Sequence, residues 1–266
     1  MSLPAGPVWM IGCGAMGGAM LRRWLAAGLD PAQVTVVTRT QRALPAGVRW
    51  SPEPPAGDAP DVLVLAVKPQ QLDDVAPALR AARPKLLLSI LEGVEEAALA
   101  ARAPAAGGIM RAMPNLPVAI GRGVTALFSS TGDAAARATA EALCAPLGAY
   151  EWIAEERLFD AVTALAGSGP GFVFRFADAL ARAGAALGLP EDQARRLALA
   201  TLEGSAVMAG ASDESPAVLA DRVASPGGST REGLNVLDRD DALAALLTET
   251  LCASERRNRE MAAAAR

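Results

Sequence analysis

Residues 8–17 read Val8-Trp9-Met10-Ile11-Gly12-Cys13-Gly14-Ala15-Met16-Gly17, and this stretch decides the fold of the first half of the chain. Four apolar residues predict a buried strand, a G-x-G-x-x-G spacing follows them, and a helical pattern begins at Ala15. That order is typical of a dinucleotide site, where the glycines allow a tight turn, close approach of the backbone to a pyrophosphate, and close packing of helix on strand. An incidental glycine-rich turn is the alternative. We expect a dinucleotide to contact Gly12, Gly14, Ala15, Met16 and Gly17.

Short β-rich runs alternate with helical patterns from there to about Trp152, which predicts an α/β fold with a parallel sheet covered by helices on both faces. The candidate strands are 8–11, 33–38, 61–67, 85–90, 108–113 and 124–128, and the candidate helices between them include 15–27, 70–82 and 133–144. After Trp152 only helical patterns follow, among them 191–209, 216–223 and 241–263. We therefore expect a Rossmann-type dinucleotide-binding domain at residues 1–157 and an all-helical domain at residues 158–266.

Composition excludes several classes of protein. The net charge of −4 over 266 residues argues against nucleic-acid binding, which needs a basic surface. Residues 3–21 carry no charge, but no basic segment precedes Leu3 and glycines interrupt the run, so a secretory signal is not expected. No other stretch reaches the ~18 apolar residues of a membrane-spanning helix. We expect a cytoplasmic location and neither membrane nor nucleic acid as a partner.

The polar chemistry of the chain is restricted. There is no histidine, which excludes histidine-based triads, histidine metal ligands and the usual histidine acid or base. The three cysteines, Cys13, Cys144 and Cys252, are far apart and form no C-x-x-C pair, so neither a zinc site nor a disulfide framework is indicated. We expect no metal and three thiols in a reducing compartment.

The type of cofactor is indicated at the end of the second candidate strand, at Thr38 and Arg39. An acid usually stands about 20 residues past the loop in sites that prefer NAD, and none does so in this sequence. An arginine beside hydroxyls suits a 2′-phosphate, since a guanidinium pairs with phosphate through two hydrogen bonds. The alternative is a solvated arginine at a strand end. We expect NADPH, with NADH as the second option.

The third candidate strand runs into Ala66-Val67-Lys68-Pro69. Pro69 holds Lys68 extended and ends the strand, and ligands of such sheets lie at the carboxyl ends of the strands. We expect the backbone of Ala66, Val67, Lys68 and Pro69 to line the nicotinamide or its ribose. A catalytic role for Lys68 is the weaker alternative.

A charge-free loop, Ser225-Pro226-Gly227-Gly228-Ser229-Thr230, opens directly onto a helical pattern. Free backbone N–H groups, hydroxyls and the positive end of a helix together suit a small carboxylate. We expect Ser225, Gly227, Gly228, Ser229 and Thr230 to bind such a substrate. The alternative is an ordinary helix cap, because serine and threonine cap helices without any ligand.

These segments, in order, resemble the Δ1-pyrroline-5-carboxylate reductase family over nearly the whole chain. The similarity rests on residues 11–17, on Ala66-Val67-Lys68-Pro69-Gln70, Arg111-Ala112-Met113-Pro114-Asn115, Gly121-Arg122-Gly123-Val124-Thr125-Ala126-Leu127 and Ala164-Leu165-Ala166-Gly167-Ser168-Gly169-Pro170, and on residues 225–230. The resemblance implies reduction of a five-membered cyclic imine carboxylate by NADPH, at a protonated C=N bond that needs no histidine acid. It also implies a homodimer formed through the helical domain, which in this family often assembles further into a decamer.

The resemblance assigns roles to single residues. Thr230 matches the threonine that hydrogen-bonds the ring nitrogen of the substrate and is the expected catalytic residue. Met113 and Asn115 are expected near the nicotinamide, although Asn115 could instead be a turn residue. Departures from the family pattern at Ala15, Leu116, Arg122, Ala166 and Phe172 leave substrate range open. A reductase of another cyclic imine and a non-catalytic NADP-binding sensor are the competing hypotheses.

Overall fold

A computed structural model of the chain describes residues 2–55, 59–131 and 133–264, which fall into two compact units. The first unit runs to Ser168 and also takes in the C-terminal residues from Ser254. The second unit is Gly169–Ala253. The expected domain boundary between residues 157 and 158 stays a prediction, because packing within one chain does not test which segments fold independently.

The first unit is built on one eight-stranded sheet in the order β3-β2-β1-β4-β5-β6-β7-β8. All neighbours run parallel except β6 and β7. This confirms the α/β fold class. The strand order reverses between β1 and β4, and folds of this class bind ligands at that point. The strands are β1 (Val8–Ile11), β2 (Val34–Val37), β3 (Arg49–Ser51), β4 (Val62–Leu65), β5 (Leu86–Ser89), β6 (Gly108–Pro114), β7 (Gly123–Phe128) and β8 (Gly148–Trp152).

The pair β6–β7 runs antiparallel in an otherwise parallel sheet, whereas the sequence predicted a parallel sheet. Met113 lies opposite Ala126, and Pro114 opposite Thr125. A parallel crossover needs about a dozen residues or more, and the connection between these strands, 115–122, is shorter than that. The short connection therefore forces the chain to turn back along the strand it has just formed.

Helices cover both faces of the sheet because the residues of each strand alternate between two cores. Val8 and Met10 pack into one core with Trp24, whose indole Nε1 donates to the Leu143 carbonyl at 2.6 Å. Trp9 and Ile11 pack into the core on the opposite face. The helices of this unit are α1 (Ala15–Ala26), α2 (Leu72–Ala81), α3 (Glu96–Arg102), α4 (Ala134–Cys144) and α5 (Phe159–Val162), followed by a π-helical turn, Thr163–Gly167. Sequence reasoning missed β3, β8 and α3.

The second unit contains helices and, within its described residues, no strand, as predicted for the segment after Trp152. They are α6 (Gly169–Ala186), α7 (Glu191–Gly210), α8 (Pro216–Arg222), α9 (Ser229–Leu237) and α10 (Ala242–Ala264), the last of which continues into the first unit. Helix α6 ends before Gly188, which has φ +102°, and Pro190 immediately precedes α7. Across the described ranges, no helix has both the length and the apolar character needed to cross a membrane.

Large apolar side chains lie on the outside of this second unit. Leu187 is 89% exposed, and Phe174 and Val207 are each more than half exposed. The contact between α6 and α7 uses small residues instead: a Cβ placed on Gly184 would lie 3.5 Å from the Cβ of Ala194. The large apolar side chains of these helices are therefore exposed and do not take part in this contact.

Candidate active site

A cleft of about 1370 Å³ lies at the carboxyl ends of the strands in the first unit. Most residues predicted to contact the cofactor line it, whereas Pro69 and Asn115 do not. The predicted residues in its wall are Gly12, Gly14, Ala15, Met16, Gly17, Thr38, Arg39, Ala66, Val67, Lys68 and Met113. The cleft therefore lies at the edge of the sheet where ligands of such folds bind, at the carboxyl ends of the strands.

Two of the three glycines after β1 are required by close backbone packing. Gly12 has φ +86°, and a Cβ placed on it would lie 2.5 Å from the carbonyl oxygen of Ala66. Its N–H donates to the Val37 carbonyl at 3.0 Å, which ties the loop to β2. A Cβ on Gly17 would lie 3.2 Å from the Cβ of Ala66, so this glycine lets α1 approach β4 closely. Both positions support the tight turn and the close helix packing predicted from the sequence.

Gly14 differs from these two glycines because nothing lies within 4 Å of a Cβ placed on it. It is the N-cap of α1, it offers no side chain to the helix N–H groups, and the first turn of α1 contains no acid. The positive end of α1 thus faces open space in the wall of the cleft. An anionic group fits this place, so the loop meets the requirement of a pyrophosphate.

The end of β2 carries the residues expected to select the cofactor. The hydroxyl of Thr38 accepts a hydrogen bond from Trp50 Nε1 at 3.0 Å and donates to the Thr40 carbonyl at 3.0 Å. Trp50 belongs to β3, the short strand that sequence reasoning missed. Arg39 forms an ion pair with Asp74, whose Oδ2 lies 2.7 Å from the arginine Nη2. The Arg39 side chain is 74% exposed in this pair, and its contact with a 2′-phosphate stays a prediction.

Lys68 is exposed in the wall of the cleft, at the point where the chain leaves β4. Its backbone is extended, with φ −73° and ψ 145°, and its N–H donates to Gln71 Oε1 at 3.3 Å. Pro69 begins the short 3-10 turn Pro69–Gln71 that follows. Pro69 fixes the backbone of the residue before it, and the cleft is lined by that residue.

Asn115 has a structural role in the described part of the chain. It is buried, its Oδ1 accepts from the Val124 N–H at 2.8 Å, and its Nδ2 donates to the Ala166 carbonyl at 3.0 Å. Pro170, four residues after Ala166, has no N–H to give to that carbonyl, so the amide of Asn115 satisfies it. The contact of Asn115 with a cofactor stays a prediction. Its neighbour Met113 lines the cleft and lies against Gly167, where a Cβ would come within 3.2 Å of Met113 Cε.

Five charged residues of the cleft wall were missed by sequence reasoning: Arg42, Glu53, Asp74, Arg83 and Glu92. Burial, and secondarily the charge of Asp160, raises the pKa of the Glu92 carboxyl. Burial likewise raises the pKa of Asp160, against the opposing charges of Arg111 and Arg259. Glu92 stands just after the candidate strand 85–90, so the rule that strand ends carry the site would have found it.

The predicted substrate loop lies in the second unit and forms a turn that leads into α9. The Gly228 N–H donates to the Ser225 carbonyl at 2.9 Å, and Gly227 has φ +71°, a conformation that favours glycine. Gly228 is the N-cap of α9 and contributes no side chain to it. All five predicted substrate residues thus lie in one turn at a helix N-terminus.

The hydroxyl groups of Ser229 and Thr230 do not cap this helix. Both residues are exposed inside the first turn of α9, and neither hydroxyl takes part in a hydrogen bond with any residue that the structure describes. The alternative of a side-chain helix cap is therefore not observed. The backbone N–H groups at the start of α9 and two hydroxyls are left available to an anion.

In the described ranges, no cluster of three or more cysteine, aspartate or glutamate side chains could hold a metal ion, and the expectation of no metal stays a prediction. The three cysteines are free. Burial raises the pKa of Cys144 to about 12, so its thiol stays protonated. The chemistry of the site is that of backbone N–H groups, hydroxyls, arginines and carboxylates.

Two family models match the chain. Residues 156–261 match the model for pyrroline-5-carboxylate reductase dimerisation, and residues 7–93 match the model described as NADP oxidoreductase coenzyme F420-dependent. The second match contains the glycine loop and the ends of β2 and β4. The first match contains the whole loop 225–230.

Relatives and solved structures agree with these matches. A pyrroline carboxylate reductase of Plasmodium falciparum, solved with NADP bound, has the same fold with a TM-score of 0.81 at 24% identity, covering 98% of this chain and all of that one. A pyrroline-5-carboxylate reductase of Coxiella burnetii has a TM-score of 0.84 at 30% identity, covering 97% and 98%. The pyrroline-5-carboxylate reductase of Pseudomonas aeruginosa is 35% identical over 98% of both chains. The chain belongs to the pyrroline-5-carboxylate reductase family.

Proposed function

We propose that this chain reduces the cyclic imine 1-pyrroline-5-carboxylate to L-proline with NADPH as the reductant, the last step of proline biosynthesis. The observation that carries this proposal is the turn Ser225–Thr230, where a helix N-terminus and two hydroxyls without a hydrogen bond to the described residues are suited to an anion. A protein that only sensed NADP would have no use for a carboxylate site. Family membership supplies the reaction class, and this turn supplies the reason to expect turnover.

The cofactor is assigned to the cleft of the first unit. The N-terminus of α1 around Gly14 would hold the pyrophosphate, and Arg39 beside Thr38 would hold the 2′-phosphate. The backbone of residues 66–69, Met113 and Asn115 would border the nicotinamide, although Pro69 and Asn115 lie outside the cleft wall. Bound NADPH supplies a hydride to the carbon of the C=N bond. NADH is the alternative reductant, held through the same loop without the 2′-phosphate contact.

The residues of the substrate turn position and polarise the imine. Gly227 and Gly228 allow the carboxylate of the substrate to approach the backbone N–H groups at the start of α9 without meeting a Cβ. The hydroxyl of Thr230 would hydrogen-bond the ring nitrogen. Because a protonated imine already carries its positive charge, the carbon is electrophilic without a strong acid, and a chain that lacks histidine can perform the reaction.

The assembly is proposed to be a homodimer formed by the helices of the second unit. Its exposed Phe174, Leu187 and Val207 offer apolar surface to a second copy. Further association into a decamer is a separate proposal. The three free thiols fit a reducing, cytoplasmic compartment.

One assay tests the reaction and the ring size together. NADPH oxidation is followed with 1-pyrroline-5-carboxylate and with its six-membered homologue, each at saturating cofactor. We expect kcat/KM to be higher for the five-membered ring. A preference for the six-membered ring would establish the related imine reductase instead, and NADPH binding without oxidation of either would establish the sensor.

A further inference from the structure

The ion pair between Arg39 and Asp74 lies in the wall of the cofactor cleft. Arg39 follows β2, and Asp74 lies in the first turn of α2. The arginine Nη2 and the carboxylate Oδ2 are 2.7 Å apart, with 74% of the arginine side chain and 51% of the aspartate side chain exposed. The arginine best placed to bind a 2′-phosphate therefore already holds an anion.

The neighbouring acid, Asp73, makes the position of Asp74 informative. Asp73 lies in the same turn of α2, but its Oδ1 pairs with Arg102 Nε at 2.8 Å and it does not line the cleft. Only one of these two adjacent carboxylates faces the cofactor cleft. Removing the charge of Asp73 therefore serves as a control for removing the charge of Asp74, because only Asp74 lines the cleft.

Arg42 lines the same cleft, as does Arg83. No acid in the described ranges lies within ion-pair distance of the Arg42 guanidinium. Burial raises the pKa of the Cys13 thiol in the glycine loop, and the charges of Arg22 and Arg42 lower it. Arg42 can therefore attract the phosphates of a cofactor while Arg39 is still paired.

We propose that Asp74 limits the preference for the 2′-phosphorylated cofactor by competing with the 2′-phosphate for Arg39. The proposal rests on the proposed function, since it refines the cofactor specificity of the same site. An exposed ion pair is weak, so Arg39 can exchange one anion for the other. A phosphate of charge near −2 is the stronger partner, because it accepts two charge-assisted hydrogen bonds from a guanidinium.

The competition has a predictable size. When the phosphate takes Arg39, the carboxylate of Asp74 loses its partner and stays beside a second anion. An exposed ion pair of this kind contributes a factor of about two to five, so breaking it should weaken NADPH binding by about that factor. NADH has no 2′-phosphate, so its binding leaves the Arg39–Asp74 ion pair intact. Asp74 should therefore act on NADPH alone.

The test is the pair of variants Asp74→Asn and Asp73→Asn, with the dissociation constants of NADPH and NADH measured by calorimetry. We expect Asp74→Asn to tighten NADPH about two- to fivefold and to change NADH less than twofold. Asp73→Asn removes the same charge from the same helix turn and should leave the ratio of the two constants unchanged. In 1 M salt, where the Debye length is about 3 Å, the gain should fall below twofold.

The same substitution in an Arg39→Gln background distinguishes competition from plain repulsion. Competition requires Arg39, so the gain from Asp74→Asn should then fall below twofold. A gain that persists without Arg39, an equal gain from Asp73→Asn, or weaker NADPH binding in Asp74→Asn would each overturn the proposal. These are binding measurements, so a chain that shows the expected shifts without reducing an imine would contradict the proposed function and leave this inference standing.

Discussion

Replacing Thr230 by alanine separates the two interpretations of the turn 225–230. The Thr230 hydroxyl is exposed and makes no hydrogen bond with the described residues, and the N-cap of α9 is Gly228. Its removal should therefore cost less than about 0.5 kcal/mol of unfolding free energy, as for most surface substitutions. That cost corresponds to a shift in Tm of less than about 2 °C for a chain of this size.

The kinetic effect of Thr230→Ala should be much larger than its effect on stability. A hydrogen bond to a charged group contributes about 1.5–3 kcal/mol, so kcat/KM for the imine should fall roughly ten- to a hundredfold or slightly more. Cofactor affinity should not change, because the cleft belongs to the first unit. The assay measures kcat/KM, the dissociation constant of NADPH and Tm on one preparation.

Two control variants support this comparison. Thr230→Ser keeps the hydroxyl and should retain kcat/KM within about threefold. Thr139→Ala makes the same deletion in α4, where the hydroxyl donates only to the Ala135 carbonyl of its own helix, and should change no kinetic constant. A Thr230→Ala variant with unchanged kcat/KM would refute the assignment of Thr230 to the substrate. A fall in its Tm of more than about 4 °C would refute the inference that the hydroxyl does not stabilise the folded chain.

Three further outcomes are expected. Gly14→Val should weaken NADPH and NADH binding alike by at least tenfold while Tm stays within about 2 °C, because the valine side chain would enter open space at the N-terminus of α1. Unaltered binding in a cofactor titration would contradict the proposal that the pyrophosphate lies at this N-terminus. Glu92→Gln should raise Tm at pH 8 and have little effect near pH 4. Burial raises the pKa of the Glu92 carboxyl in the folded chain, so the folded state binds the proton more tightly than the unfolded state does. The stability of the unmutated protein therefore falls as pH rises from about 4.3, the ordinary pKa of glutamate, through the raised pKa. Melting curves of both proteins across that range check the sign, and a lower Tm of the variant at pH 8 would show it to be wrong. Light scattering should give at least twice the mass of one chain at micromolar concentration, since the second unit exposes Phe174 and Leu187; an active monomer would exclude the proposed dimer.

The strands that the sequence predicted are those whose signal is local and strong. Strands made almost wholly of valine and leucine, such as Val62–Leu65 and Leu86–Ser89, are buried throughout, and their alternation with helices is enough to infer the α/β class. The missed strand Arg49–Ser51 has three residues and the edge strand Gly148–Trp152 is only half-buried, so neither produces such a run. The antiparallel pairing of β6 and β7 was missed because strand direction depends on the length of the connection and not on the apolar pattern of either strand.

The candidate site shows the same division between local and distant information. The packing roles of Gly12 and Gly17 could be predicted from sequence because the spacing along a strand-turn-helix unit determines them, whereas the contact of Gly14 with a pyrophosphate stays a prediction. The partner of Arg39 could not be assigned, because Asp74 is 35 residues away and reaches it only through the packing of α2. Asn115 and Ala166, 51 residues apart, are a second case. Sequence alone placed Asn115 correctly after β6 and had no means of finding where its amide hydrogen bonds go.

The most direct test of the central claim is to follow the hydride. NADPH carrying deuterium at both C4 positions of the nicotinamide is incubated with the protein and 1-pyrroline-5-carboxylate, and the product is analysed by mass spectrometry. We predict proline that is one mass unit heavier, with the deuterium on the ring carbon of the former C=N bond. Proline without deuterium, or no proline while NADPH binds, would contradict the account.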